Sequence, residues 1–344
     1  SQPYSFSRKA KKALKEARKT IAECINAEPE EIFFTSGGTE SNNWAVKCFS
    51  LSKNIRYVIT SAIEHHAILN ACQNANCIHM LIPVDKHGKV KPEELIKILD
   101  RPREAVTSCE STLVSIMTAN NEIGTIQKIK ELAEIAHSHG AIFHTDAVQA
   151  VGHIPIDVKA MGIDMLSASA HKFNGPKGIG FLYSKNKKLL QSFHNGGSQE
   201  FGMRAGTENI PAIVGMAEAL KWNIENLEEN MKHLEKLTDI FYENLIGVDF
   251  IINGSKKDRL PGNINISIKG KIGESLLHLL DLKGIMISTG SACDSVNLKI
   301  SHVIKAIKVP EDYAEGTIRV SFGHENTEYE SEFIAKTISK LINI

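Results

Sequence analysis

Through roughly the first 200 residues the chain switches repeatedly between two hydrophobic periods, and this alternation limits the fold more than any other feature. Short runs rich in apolar and β-branched residues, "EIFFTS", "IRYVITS", "TLVSIMTA", "AIFHTDA", "DMLSASA" and "GIGFLYS", read as strands. Between several of them lie helix-period segments such as "KPEELIKILD" and "IKELAEIAHSHG", the second closed by Gly140 as a C-cap. Strands alternating with helices predict an α/β large domain on a mostly parallel sheet, placed at residues 1–225. A polar helical stretch, "NIENLEENMKHLEKLTDIFYENLIG", then has few breakers and suits a bridge between domains. Beyond it "GNINISIKG", "IMISTGSA" and "GTIRVSFG" read as strands, with helices expected at 273–282, 299–307 and the C-terminus. That is a smaller α+β domain, residues 226–344.

Composition narrows the function classes. Lysine plus arginine equals aspartate plus glutamate at 40 each, so net charge offers no case for nucleic acid or an anionic membrane. The 6 cysteines are scattered without C-x-x-C spacing, which suits free thiols in a reducing cytoplasm and argues against a zinc site. The start, "SQPYSFSRKAKKALKEARK", is a basic amphipathic helix without the apolar core of a secretory signal, and no apolar run approaches a membrane span.

In an open α/β sheet the ligand crevice lies beyond the carboxyl ends of the strands, and the chemically capable residues gather there. "EIFFTSGGTESNN" runs from strand through a glycine turn to Thr39 and a helix, a pattern that can hold an anion on a helix N-terminus. Taken alone, an N-cap by Ser36 or Thr39 explains it better. "VITSAIEHHA" delivers His65, "TANNEIG" delivers Asn120 and Asn121, and "FHTDAVQA" delivers Asp146 and Gln149. "SASAHK" then places Ser169, His171 and Lys172 after a fifth strand. Caps and turns account for each of these singly. Together they put an anion turn, an acid, an amide, a histidine and a lysine on one sheet edge. Those are the groups pyridoxal phosphate requires: an amine for an imine, a carboxylate for the pyridine nitrogen, and a helix end for the phosphate.

At this point the chain resembles the class V aminotransferase group, and within it the cysteine desulfurases of the NifS/IscS type. The resemblance rests on "FTSGGTESNNWAVK", "TSAIEHHAIL", "VSIMTANNEIGTIQ", "HTDAVQAVGHIPIDV", "SASAHKFNGPKGIG", "GGSQEFGMRAGTENIPAIVGM", "STGSACDS" and "IRVSFG", in that order. It implies a fold-type-I pyridoxal-phosphate-dependent transferase that converts L-cysteine to L-alanine. Under it, Lys172 makes the imine, and His65 stacks on the ring and moves protons. Asp146 pairs with the ring nitrogen and Gln149 with the ring hydroxyl. Thr39, Ser169 and His171 hold the phosphate, with Gly38 supplying backbone. Thr207 reaches the phosphate of a partner subunit, implying a homodimer. Asn121 lies beside cofactor and substrate, Arg319 clamps the substrate carboxylate, and Cys293 takes the sulfur as a persulfide. A sulfur-acceptor protein follows: an iron–sulfur scaffold or a thiolation enzyme. No metal ligand is expected.

The surroundings of Cys293, "STGSACDS", are small residues with much backbone freedom, which suits a nucleophile that moves between a cleft and an acceptor. The family usually opens with a further strand and helix, so this comparison implies that its N-terminal segment is missing here. Phe201 stands where many relatives carry arginine, and Gly38 where many carry alanine. Rival readings are a selenocysteine lyase or aminotransferase on the same cofactor, and a catalytically silent sulfur-relay subunit. Cys293 argues against a transaminase, which has no use for a mobile thiol.

Overall fold

A computed structural model of the chain describes residues 4–51, 57–101, 112–289 and 300–343, excluding the side chains of 48–51. The chain divides into two compact units. The first comprises residues 1–82, 92–118 and 128–227; the second comprises 83–91, 119–127 and 228–344.

In chain order the first unit contains α1 (Ser5–Cys24), β1 (Ile32–Thr35), α2 (Gly38–Leu51), β2 (Tyr57–Ser61), α3 (His66–Gln73) and β3 (Ile78–Ile82). There follow α4 (Pro92–Leu99), β4 (Thr112–Ser115), α5 (Ile129–Ser138), β5 (Ile142–Asp146), β6 (Met165–Ser169), β7 (Gly180–Ser184) and α6 (Ile210–Glu225). The strands form one sheet in the order β1-β7-β6-β5-β4-β2-β3. Only β7 runs against the rest: its pairings with β1 and β6 are antiparallel, and the others are parallel. Six strands therefore end at one edge, at Thr35, Ser61, Ile82, Ser115, Asp146 and Ser169.

The strands β1, β2, β4, β6 and β7 are buried at every position, as expected where a sheet is covered on both faces. Phe33 meets Trp44 of α2 edge-on, with ring centroids 5.6 Å apart, and both side chains are fully buried. Burial of each such side chain contributes about 2–3 kcal/mol. Helix α1 buries Ala17, Ile21 and Ala22 and packs on α6. Its Arg18 donates a fork of hydrogen bonds to Glu200, at 2.8 and 2.7 Å.

The second unit holds α7 (Leu227–Asn244), β8 (Phe250–Ile252), β9 (Asn263–Ile268), α8 (Gly273–Asp281), α9 (His302–Ala306), α10 (Glu311–Ala314), β10 (Thr317–Ser321) and α11 (Glu328–Ile342). Its sheet is antiparallel, ordered β10-β9-β8, over a core that includes Leu237, Phe241, Ile264, Ile266, Ile318 and Ile338. The segment 119–127 joins this unit through backbone bonds from Leu260 to Gly124 and from Ile126 to Asp258, 2.9 and 3.0 Å.

Three local expectations change. The expected bridging helix is broken at Asn226, which caps α6 before α7 begins. The strand expected at "IMISTGSA" is, over its described part, a single bridge between Ser288 and Arg319. Strands β3 and β8 carried no clear signal; both lie at sheet edges and are only partly buried.

Candidate active site

The glycine turn after β1 is shaped by close packing. Gly37 has φ +150°, and a Cβ on Gly180 would come within 2.7 Å of the Gly37 Cα. A Cβ on Gly38 would lie 2.5 Å from Val148 Cγ2 and 3.6 Å from Ser169 Cβ. The start of α2 therefore sits directly against the exits of β5 and β6. Thr39 is exposed there. The first turn is secured by Glu40, which accepts the Ser36 N–H at 2.8 Å and a fork from Arg204 at 2.8 and 3.1 Å. These bonds hold the Glu40 carboxyl below its usual range despite burial. They also clamp the segment leading to Thr207 onto the helix start. Exposed Thr207 lines a cleft of about 200 Å³ together with Thr35, Ser36 and Gly178.

His65 is the N-cap of α3. Its Nδ1 accepts the Ala67 N–H at 3.1 Å, so the neutral ring carries its proton on Nε2. The capping role that a lone histidine suggests and the delivery of an imidazole to the sheet edge thus coincide.

Asp146, the last residue of β5, is buried with a donor on each oxygen: Asn42 Nδ2 at 2.6 Å and the Val148 N–H at 3.0 Å. Burial raises its pKa, while the Val148 N–H, His65, Asn42 and Lys172 oppose that rise. One strand alternation earlier, fully buried His144 bridges Ser115 and Ser167 at 2.8 and 3.0 Å. Burial pushes its pKa down to about 3, so the ring is neutral. Gln149 is half-buried in the turn after β5.

Past β6, the chain turns through a short 3-10 segment, Ala170–Phe173, that ends on Asn174 in left-handed conformation (φ 61°). The Ser169 hydroxyl and His171 Nδ1 are 3.0 Å apart. Lys172 is exposed on this turn, yet its charge acts on Asp146 and on His171. Burial, then Lys172 and Lys177, lowers the His171 pKa, which favours the neutral ring.

In the second unit, Arg319 of β10 exchanges both backbone bonds with Ser288, 3.0 and 2.7 Å. Its Nη1 donates to the Asn121 carbonyl at 2.7 Å and its Nη2 to Ser288 Oγ at 3.3 Å. Its Nε is buried without a hydrogen-bond partner among the described residues. Burial lowers the pKa of this guanidinium, and the Glu122 charge counters that. Cys293 lies outside the described residues.

The first unit thus brings Gly38, Asp146, Ser169, His171 and Lys172 to neighbouring strand ends, with His65 in electrostatic reach of Asp146. Sequence reasoning missed Asn42, Glu64, Glu200 and Arg204. The signal for Asn42 was its place one helical turn after Gly38. For the other three, it is partners far along the chain that mark them out: Met117 for Glu64, Arg18 and Phe34 for Glu200, and Glu40 for Arg204. Among the described residues no cluster of three or more His, Cys, Asp or Glu could hold a metal ion.

An amine, a doubly hydrogen-bonded buried carboxylate, and a helix start flanked by hydroxyls and an imidazole fit pyridoxal phosphate, and with this sheet they define a fold-type-I site for it. The chain belongs to the class-V aminotransferase family, whose pattern matches residues 1–332. It is similar to the cysteine desulfurase IscS of Dictyoglomus turgidum, 45% identical over 356 residues that span 100% of this chain and 88% of that protein. Among solved structures it is similar to a NifS-like protein from Rickettsia africae, with TM-score 0.88 and 32% identity, covering 100% of this chain and 91% of that one. A structure described as SspA in complex with cysteine matches at TM-score 0.80 and 32% identity, over 95% of this chain and 91% of that one.

Proposed function

We propose that the protein is a pyridoxal-phosphate-dependent cysteine desulfurase, producing L-alanine and a protein persulfide from L-cysteine. The observation that carries the reading is the pair Asp146 and Lys172 at the ends of adjacent parallel strands, beside the α2 start. When bound, the cofactor supplies an electron sink that stabilises negative charge developing on the substrate.

The chain's own residues supply anchoring, orientation and proton movement. Lys172 is the covalent anchor. Asp146 would hold positive charge on the ring nitrogen, Gln149 would bond the ring hydroxyl, and Thr39, Ser169, His171 and the Gly38 backbone would hold the phosphate. His65, with its proton on Nε2, carries protons. Arg319, whose Nε has no hydrogen-bond partner among the described residues, would clamp the substrate carboxylate, and Asn121 lies beside it. Cys293 thiolate attacks the substrate sulfur. The new S–S bond forms as the C–S bond breaks, the carbon keeps the electron pair, and protonation there completes alanine.

Residues 1–225 would hold the cofactor and 226–344 would carry the Cys293 segment, with 83–91 and 119–127, and so Asn121, packing in the second unit. Thr207, exposed on a clamped segment, supports a homodimer in which it reaches the partner's phosphate. A sulfur-acceptor protein, an iron–sulfur scaffold or thiolation enzyme, receives the persulfide. Free thiols at Cys24, Cys72 and Cys77 support a cytoplasmic setting. Among the described residues no helix is long and apolar enough to cross a membrane.

The test is alanine release from cysteine with trapping of the persulfide. Wild type should form both, and Cys293→Ala should bind cofactor and cysteine while alanine release falls by orders of magnitude. Equal alanine production by the two proteins overturns the mechanism.

A further inference from the structure

The residue before His65 is an acid with no place in the chemistry described so far. Glu64 is fully buried, and its Oε1 accepts two hydrogen bonds: from the Ser61 hydroxyl at 2.5 Å and from the Met117 N–H at 2.9 Å. Ser61 is the last residue of β2, and Met117 lies just past the end of β4, the neighbouring parallel strand. One residue on, the Thr118 N–H donates to the Asp146 carbonyl at 2.9 Å. Adjacent residues of one short segment thus bind Glu64 on one side and the strand carrying Asp146 on the other. The segment sets the His65 turn in register with the Asp146 carboxylate.

We propose that Glu64 is a positioning residue for His65, its side chain fastening the β2–α3 turn to the exit of β4 so that the imidazole is held over the Asp146 end of the sheet. The inference rests on the desulfurase reading for what His65 does, but its geometry stands in the protein without cofactor.

The bonding pattern also fixes the form in which Glu64 works. Burial first, and the nearby Asp146 charge as well, push its pKa up to about 8 against the pull of Ser61 and Met117. At neutral pH it is chiefly a neutral carboxylic acid, so two buried carboxyl groups share this edge without a second negative charge. A protonated carboxyl and an amide have nearly the same shape and both offer an acceptor oxygen. Glutamine should therefore replace Glu64 in this role, and alanine should not.

The experiment reads His65 directly. Nitrogen-15 spectra of histidine-labelled, cofactor-free protein, assigned with a His65→Gln variant, report which ring nitrogen carries the proton. Wild type and Glu64→Gln should both show the Nε2-protonated ring. Glu64→Ala should lose that fixed state, and in the loaded enzyme should lower kcat by about tenfold or more with KM for cysteine within about twofold. If Glu64→Ala fails to fold, Ser61→Ala removes one of the two donors and should move the His65 signal in the same direction by less.

An unchanged His65 signal in Glu64→Ala, or in Ser61→Ala where only that variant folds, overturns the proposal. So does a folded Glu64→Gln as perturbed as Glu64→Ala. A wild type that makes no alanine from cysteine would instead sink the desulfurase reading, and the cofactor-free spectra would still decide the role of Glu64.

Discussion

Asp146 in the first unit is buried and Arg319 in the second half-buried, and the two ionic groups are satisfied in opposite ways. Each oxygen of Asp146 has a donor supplied by the protein, so the carboxylate is oriented whether or not a ligand is present. Arg319 is tethered at both terminal nitrogens, to a backbone carbonyl and a hydroxyl, while its Nε has no partner among the described residues. An unmade buried hydrogen bond costs about 1–3 kcal/mol, recovered when an anion arrives. On the proposed function, the fully bonded Asp146 would serve the cofactor, and Arg319, whose Nε has no partner among the described residues, would serve the substrate.

The largest effect should come from breaking the finished region. Asp146→Asn preserves volume and a hydrogen-bonding head group but removes the charge, and kcat for alanine release should fall by about a thousandfold. A loss under tenfold would mean that the charge, as opposed to the shape, of this residue is dispensable. Next in size is Arg319→Ala. It should raise KM for cysteine about a hundredfold while leaving the cofactor dissociation constant within about twofold. If cofactor binding weakens as much as substrate binding, the contrast between the two regions fails.

Smaller, and free of any assay of activity, is the pH dependence of stability. Glu64 has an ordinary carboxyl pKa of 4.5 when unfolded and about 8 when folded, so the native state resists its ionisation. Its contribution is fully present below pH 4.5 and is lost progressively as pH rises toward 8. Glu64→Gln cannot ionise, so relative to wild type it should gain about 3 kcal/mol between pH 5 and 8 in denaturant titrations. A constant difference across that range would show that the acid is ionised in the fold.

The smallest effect is at the glycine turn that starts α2. A methyl on Gly38 would sit 2.5 Å from Val148 Cγ2, so Gly38→Ala should cost about 1–2 kcal/mol of stability. Adding Val148→Ala should return most of it. Additivity of the two changes in a double-mutant cycle would mean that they do not contact each other in solution.

Much of the first unit was legible in the sequence for physical reasons that are local. Strands buried on both faces must be nearly continuous runs of apolar and small residues, and helices on a sheet must repeat every three to four, so "DMLSASA" and "IKELAEIAHSHG" announce themselves. Polar residues just beyond such runs are placed at the sheet edge by the strand's own direction. That is why Asp146 and Lys172 could be picked out together. Tertiary structure alone decided the rest. β3 and β8 are sheet-edge strands that are only partly buried, so no continuous apolar run marks them. The segment 119–127 belongs with residues beyond 228 through bonds such as that between Arg319 and the Asn121 carbonyl, 198 positions apart. Glu64 looks in sequence like one more surface acid beside a histidine. Only the closing of β4 against β2 takes it out of water, gives its oxygen two donors and shifts its ionisation, because desolvation is a property of what surrounds a group in space.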